Sequence, residues 1–175
     1  MSGEAWTRVV KLSSDLRIDG FFSGEPSIDM WFQRDGLDEQ EQGGCTVYVA
    51  VDDAYTIIGF FSLSMHKLQK NIVPGSVKND LTISGNIPCV LLGRLGIDQH
   101  FRGKTFRQSG GKSQGPLLIK QAIKQAQGVA EMVGCRLMFV QALNDELIDF
   151  YSRQGFVSLP SNPRNMVLDL RKYPS

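Results

Sequence analysis

Residues 88–116 read Pro-Cys-Val-Leu-Leu-Gly-Arg-Leu-Gly-Ile-Asp-Gln-His-Phe-Arg-Gly-Lys-Thr-Phe-Arg-Gln-Ser-Gly-Gly-Lys-Ser-Gln-Gly-Pro. The stretch to Ile97 is almost continuously apolar, the pattern of a central strand buried on both faces. Gly93 and Gly96 interrupt it. Glycine weakens a strand interior, so the pair predicts a bulge or a place where another backbone or a ligand comes close. Past Asp98 the chain enters a loop rich in Gly and Lys that leads into a helix. Such a loop suits an anion: free backbone N–H groups and the positive end of the helix dipole offset its charge, and basic side chains add to this. Gly103-Lys104-Thr105 and Gly111-Lys112-Ser113 invite a nucleotide P-loop reading, but the spacing fails. The motif needs glycine at positions 98 and 106, where the chain has Asp98 and Phe106.

Downstream, Leu118, Ala122, Ala126, Val129 and Val133 recur at intervals of three or four, with Lys120, Lys124, Gln127 and Glu131 on other faces. This predicts a helix over 116–133, with Pro116 in its first turn and Gly134 ending it. Arg136–Gln141 reads as a second buried strand. Asn144 then caps a helix carrying Asp145 and Glu146 in its positive first turn and ending at Gly155. Phe156–Leu159 and Met166–Leu170 read as short closing strands.

Upstream, Thr7–Leu12 is a strand candidate. A helical pattern with Ile28, Trp31, Phe32 and Leu37 starts at Pro26-Ser27 and ends before Gly43, with Gly36 in its middle. Thr46–Val51 and Thr56–Met65 form an antiparallel hairpin across Asp52–Tyr55. Asn71–Asn86, rich in Gly, Pro, Asn and Ser, reads as a loop. The order of elements predicts one α/β domain over residues 1–175 with a mixed sheet and no internal boundary.

With 175 residues, 42% hydrophobic and 21% charged, the chain has enough material for one core, and a disordered chain is excluded. No stretch approaches the roughly 18–20 apolar residues that a membrane span requires. The start, Met1 to Arg8, lacks the basic-then-apolar pattern of a secretory leader, so a cytoplasmic location is expected. Cys45, Cys89 and Cys135 lack CxxC spacing and read as reduced thiols. His66 and His100 have no partner at metal-ligand spacing, so no metal is expected; His100 reads as a surface residue. Charge is uneven. Asp15–Glu41 holds eight acidic residues against two basic, and Arg94–Arg136 eight basic against two acidic. The basic half suits phosphates and the acidic half a basic partner, unless both are simply solvated faces.

Gly-Lys occurs twice, eight residues apart. Without Thr105–Lys112 the chain would read Arg102-Gly103-Lys104-Ser113-Gln114-Gly115-Pro116 and run on into the helix. That resembles the Arg/Gln-x-x-Gly-x-Gly/Ala loop of the GNAT family of N-acetyltransferases. Leu92-Gly-Arg-Leu-Gly-Ile97 is similar to that family's splayed central strand. Asn144 to Phe156 is similar to its C-terminal FY-x-x-x-GF signature. Phe22-Ser-Gly-Glu-Pro-Ser-Ile-Asp-Met-Trp31, with Ile57–Leu63, narrows the likeness to the TacT-like acetyltransferase toxins of type II toxin–antitoxin modules. Two departures stand out. Ser113 replaces the first motif glycine, and Thr105–Lys112 is an insertion that either bulges outward as a basic flap or disrupts cofactor binding.

The resemblance implies a GNAT fold, with a splayed central strand pair flanked by helices, and acetyl-coenzyme A as cofactor. Pantetheine would pair with the backbone of Arg94, Leu95, Gly96 and Ile97, in a gap toward Arg136–Gln141. The pyrophosphate would sit on Arg102, Gly103, Lys104, Ser113, Gln114, Gly115 and Pro116. A backbone N–H near Leu95–Ile97 would stabilise the oxyanion. Tyr151 would be the general acid and Asn144 would help place pantetheine. From the residues alone, Tyr151 between Phe150 and Gly155 reads rather as a core aromatic, and Trp31 as core or dimer interface. The implied acceptor is the α-amino group of an aminoacyl-tRNA, with a homodimer and a small DNA-binding antitoxin as partners. A small amine or a protein N-terminus as acceptor, or a cofactor-dead interaction module, are the alternatives.

Overall fold

In the computed structural model, which describes residues 3–175, the sheet grows from the predicted hairpin. β1 (Arg8–Lys11), β2 (Thr46–Val51) and β3 (Ile57–Gln69) pair antiparallel. Asp52 closes the β2–β3 turn, its Oδ1 accepting from the N–H groups of Ala54 and Thr56 at 3.0 and 2.9 Å. The remaining strands are β4 (Asn86–Ile97), β5 (Leu137–Gln141), β6 (Val157–Leu159) and β7 (Asn162–Asp169). Their order across the sheet is β1-β2-β3-β4-β5-β7-β6. β4 and β5 run parallel, so the sheet is mixed, as predicted. The chain forms two compact units, residues 1–63 with 94–120 and residues 64–93 with 121–175.

In the first unit, the predicted helix from Pro26 is two helices, α1 (Pro26–Arg34) and α2 (Gly36–Glu41). The break has a steric cause: a Cβ at Gly36 would lie 3.3 Å from the Trp31 ring, so glycine lets the chain turn tightly over the indole. Ahead of α1, Asp29 reaches back to the chain. Its Oδ1 accepts from both the N–H and the hydroxyl of Ser23 at 2.7 Å, and its Oδ2 from the Gly24 N–H at 3.1 Å. The Phe22–Trp31 signature is thus a clamp that fixes how the chain enters α1. Leu12, Phe21, Trp31, Phe32, Val47, Val49, Val51, Ile57 and Phe60 form the core of this unit. The Phe32 and Phe60 rings stack at 4.2 Å and Phe21 meets Phe32 edge-on at 5.0 Å. Full burial of each such side chain is worth roughly 1.5–3 kcal/mol.

In the second unit, Leu68, Val73, Val77, Leu81, Ile87, Cys89, Leu137, Phe139, Leu159 and Val167 form a separate core. Three of these come from the segment predicted as a loop. It contains a 3₁₀ turn, Lys70–Ile72, and a short helix, α3 (Gly75–Lys78). Its turn residues conceal Val73, Val77 and Leu81, whose spacing of four puts them on one side. β7 begins at Asn162, before the predicted Met166, because the polar run Asn162–Asn165 continues the ladder with exposed side chains. Arg136 donates through Nε and Nη2 to the two carboxylate oxygens of Asp169, both at 2.9 Å. Despite burial, that hydrogen-bonded pair holds the Asp169 carboxyl below its ordinary range and raises Arg136 above its own.

Candidate active site

The last four residues of β4 sort by face. A Cβ at Gly96 would stand 3.1 Å from Ile28 and Phe60 and 3.5 Å from Phe21. The close neighbours at this glycine are side chains of the first unit's core, where the sequence predicted a bulge or the approach of a backbone or a ligand. Arg94, two residues earlier on the same face, holds its guanidinium 4.5 Å from the centre of the Trp31 ring. Ile97 has the other parity. Its Cδ1 and the Cδ2 of Leu118 converge on Gly59, where a Cβ would meet them at 2.9 and 3.0 Å. The Arg94 N–H donates to the hydroxyl of buried Ser62 at 2.9 Å, and the Asp98 N–H to the Ile58 carbonyl at 2.8 Å. With its N–H so used, any backbone pairing of Arg94 with pantetheine falls to its carbonyl. Gly93 is exposed and Arg94 and Leu95 half-buried, so the run is not buried on both faces here. Gly96 and Ile97 are buried.

Beyond β4, a 3₁₀ turn over Gln99–Phe101 is organised by buried Asp98. Its Oδ2 accepts from the Phe22 N–H at 3.1 Å, and its Oδ1 from the His100 N–H at 2.9 Å. The same Oδ1 lies 2.7 Å from His100 Nδ1, while the imidazole is 73% exposed. His100 is at the surface, as expected, but tethered to a buried carboxylate.

The insertion folds. Gly103–Gln108 form a short helix, α4, and the next residues close it. The Gly110 N–H donates to the Arg107 carbonyl at 3.1 Å and the Gly111 N–H to the Phe106 carbonyl at 3.0 Å, with Gly110 at φ +94°. This is a Schellman C-cap, completed by the Phe106 ring lying against Gly111. Gly103 and Lys104 therefore begin α4, and the insertion that separates them from Ser113 is a folded turn of helix. Gly103, at φ +85°, and Ser113 are exposed residues. Arg102, Lys104, Arg107 and Lys112 are exposed. Among the described residues, none of the four forms an ion pair.

The long helix α5 (Gln114–Met132) starts two residues before the predicted Pro116. The Gln114 side chain is buried and fully used. Its Oε1 accepts from the Ala5 N–H at 2.8 Å, and its Nε2 donates to the carbonyls of Gly3 and Lys112 at 3.1 and 2.8 Å. Only its backbone remains for an anion. Gly115 and Pro116 lie half-buried in the same first turn.

In the second unit, α6 (Asp145–Arg153) is capped as predicted, the Asn144 Oδ1 accepting from the Leu147 N–H at 3.1 Å. That oxygen is committed, so any contact with pantetheine falls to the side-chain NH₂. Tyr151 lies seven residues on, two turns and about 10 Å along the same helix. It is 6% exposed, with the rings of Phe150 and Phe156 edge-on at 5.1 and 5.5 Å. Burial pushes its phenol up to about 12. Among the described residues nothing hydrogen-bonds to its hydroxyl, and no wholly buried side-chain polar atom lacks a partner. The ring is therefore packed while the oxygen meets solvent. Among the described residues no cluster of His, Cys, Asp and Glu is arranged to hold a metal, and no helix is long and apolar enough to cross a membrane.

Sequence reasoning missed Ser62, Asp98 and the stacking of Arg94 on Trp31. The one available signal was Arg94 itself, the sole charge in the apolar run of β4.

A glycine-marked strand leading through a basic loop into a long helix, within this seven-stranded mixed sheet, defines the GNAT fold of acetyltransferases. No family model matches the chain. A tRNA-acetylating toxin of Mycobacterium tuberculosis is 30% identical over 168 residues, covering 96% of this chain and 93% of that protein. The chain belongs to this family of tRNA-acetylating GNAT toxins. Among solved structures, AtaT complexed with acetyl-methionyl-tRNAfMet has a TM-score of 0.78 at 21% identity, covering 94% of this chain and 95% of that one. A mutant AtaT bound to the C-terminus of the antitoxin AtaR and acetyl-CoA has a TM-score of 0.73 at 20% identity, covering 94% and 93%. At such identities the two structures establish a shared fold.

Proposed function

We propose that this chain transfers the acetyl group of acetyl-CoA to the α-amino group of an aminoacyl-tRNA, and so blocks translation as the toxin of a toxin–antitoxin pair. The observation that carries the reading is its kinship, over 96% of its length, with a tRNA-acetylating toxin. The basic half of the chain supports it. Arg102, Lys104, Arg107 and Lys112 are exposed and, among the described residues, form no ion pair, as suits RNA phosphates.

The loop residues fit a coenzyme diphosphate. The exposed residues Gly103 and Ser113, the first turn of α5 through Gly115 and Pro116, and the side chains of Arg102 and Lys104 offer donors and positive charge. When bound, acetyl-CoA supplies an activated thioester. Leu95, Gly96 and Ile97 are the proposed backbone contacts of pantetheine, an N–H among them stabilising the oxyanion, and Asn144 is proposed as an orienting residue. Tyr151 is the proposed general acid: its Oη keeps its proton far above neutral pH and meets solvent. The proposal includes an antitoxin that covers the basic surface. It also includes a cytoplasmic location, supported by three free cysteines, and a homodimer.

The test is to incubate the full chain with labelled acetyl-CoA and a pool of charged tRNAs. Label in the RNA fraction, lost after the aminoacyl ester is hydrolysed, is the expected result. Label confined to free amines or protein N-termini overturns the tRNA assignment.

A further inference from the structure

We infer that Arg94, held over the Trp31 ring, is a positioning residue that grips a phosphate near the acceptor end of the charged RNA. The inference rests on the aminoacyl-tRNA reading above and adds a residue that motif comparison does not single out for its side chain.

Arg94 is the only charged residue in β4, and among the described residues no carboxylate pairs with it. A half-buried cation in an apolar strand is costly unless something holds it, and here an aromatic face does so. The platform is rigid. Trp31 is 4% exposed, its Nε1–H donates to Glu39 Oε1 at 3.0 Å, and its ring stacks with Phe60 at 6.0 Å. Glu39, the nearby acid, accepts from the indole through Oε1 and forms no ion pair with Arg94 among the described residues. Cys45 lies within the field of both groups: burial raises its thiol, Glu39 raises it further and Arg94 lowers it. A cation–π contact uses none of the guanidinium's N–H donors, which stay available as the planar fork that matches a phosphate.

The strand also decides which phosphate. Arg94 shares the face of Gly96, turned toward Phe21, Ile28 and Trp31. Ile97, of opposite parity, is turned toward Leu118 in the first turns of α5. The helix start proposed to hold the coenzyme diphosphate thus belongs to the other face of β4. The Arg94 fork serves the second substrate, and an aminoacyl-tRNA brings phosphates beside its reacting amine.

The experiment uses the full chain and the variants Arg94→Lys and Arg94→Gln, with thermal melts confirming that each folds. KM is measured separately for charged tRNA and for acetyl-CoA, and kcat/KM for tRNA is followed against salt. Both variants should raise the tRNA KM about tenfold or more and leave the acetyl-CoA KM within about twofold. Arg94→Gln should also flatten the salt dependence by about one phosphate contact, whereas Arg94→Lys keeps the charge and the slope but loses the fork. An unchanged tRNA KM overturns the inference, and a rise confined to the acetyl-CoA KM reassigns the residue to the coenzyme. Should the unmodified protein place no label on tRNA at all, the functional reading itself fails and this inference with it, an outcome distinct from either.

Discussion

The backbone N–H of Arg94 donates to the hydroxyl of Ser62 at 2.9 Å, and Ser62 is only 2% exposed. In a regular ladder that donor meets a main-chain carbonyl, so a side chain has replaced the backbone where β4 begins its last four residues. Ser62→Ala removes the acceptor and leaves the Arg94 N–H without this partner. The expected loss is about 1–3 kcal/mol in urea unfolding. Ser64→Ala, half-buried on the same strand, should cost much less. Equal losses at the two positions would show that Ser62 contributes only packing.

Tyr151 yields a prediction with a definite sign. Burial raises its phenol from the ordinary 10.0 to about 12. The folded state therefore keeps a proton that the unfolded chain releases between these values. The stabilisation is fully present below pH 10 and is lost as pH rises through about 12. Across that window the wild type should lose about 3 kcal/mol more than Tyr151→Phe, which has no proton to lose. The two alkaline unfolding curves compare directly, because all other titrating groups are shared. In turnover, Tyr151→Phe should lower kcat by about 10²–10⁴-fold with little change in acetyl-CoA KM. Parallel decline of the two would identify a packing aromatic.

What could be read from the sequence was local or periodic. The apolar run of β4, the cap at Asn144 and the hairpin at Asp52 each depend on neighbours within a few residues. Segment 71–86 was obscured because its turn residues outnumber the three apolar side chains that anchor it. The helical insertion was obscured because Gly110-Gly111, read as loop glycines, are the C-cap of α4. Ser62 and Arg94, like Trp31 and Arg94, meet only after the sheet has formed, so no spacing rule connects them. The candidate site was thus legible as a segment, while the pairing of its donors was not.

The clamp ahead of α1 predicts a cost at Asp29. This carboxylate accepts three hydrogen bonds from Ser23 and Gly24. Asp29→Ala strands the buried Ser23 hydroxyl and frees the turn that sets Trp31 in place. Charge-assisted bonds of this kind are worth about 1.5–3 kcal/mol each, with incomplete additivity, so a loss of about 2–4 kcal/mol is expected. Asp29→Asn, which keeps one carbonyl oxygen, should recover part of it. Urea denaturation of the two variants decides the matter: if both match the wild type, the motif has no structural role.

Gly110 offers a way to disturb α4 while sparing the core. Its φ of +94° is strained for any L side chain, so Gly110→Ala should cost about 1–2 kcal/mol at the Schellman turn. Phe106 is only half-buried and the core of the first unit does not include it. The global unfolding midpoint should therefore move little while the turn frays. Lys104, Arg107 and Lys112 are exposed trypsin sites within or beside the turn, and cutting there requires local opening. Tryptic nicking between residues 104 and 112 should accelerate about tenfold, in line with that local cost. The same variant should bind charged tRNA more weakly, because its cations no longer share a fixed surface. Unchanged nicking would mean that the Gly110 turn does not hold α4 closed. Faster nicking with undiminished tRNA acetylation would remove the inserted helix from the RNA-binding surface.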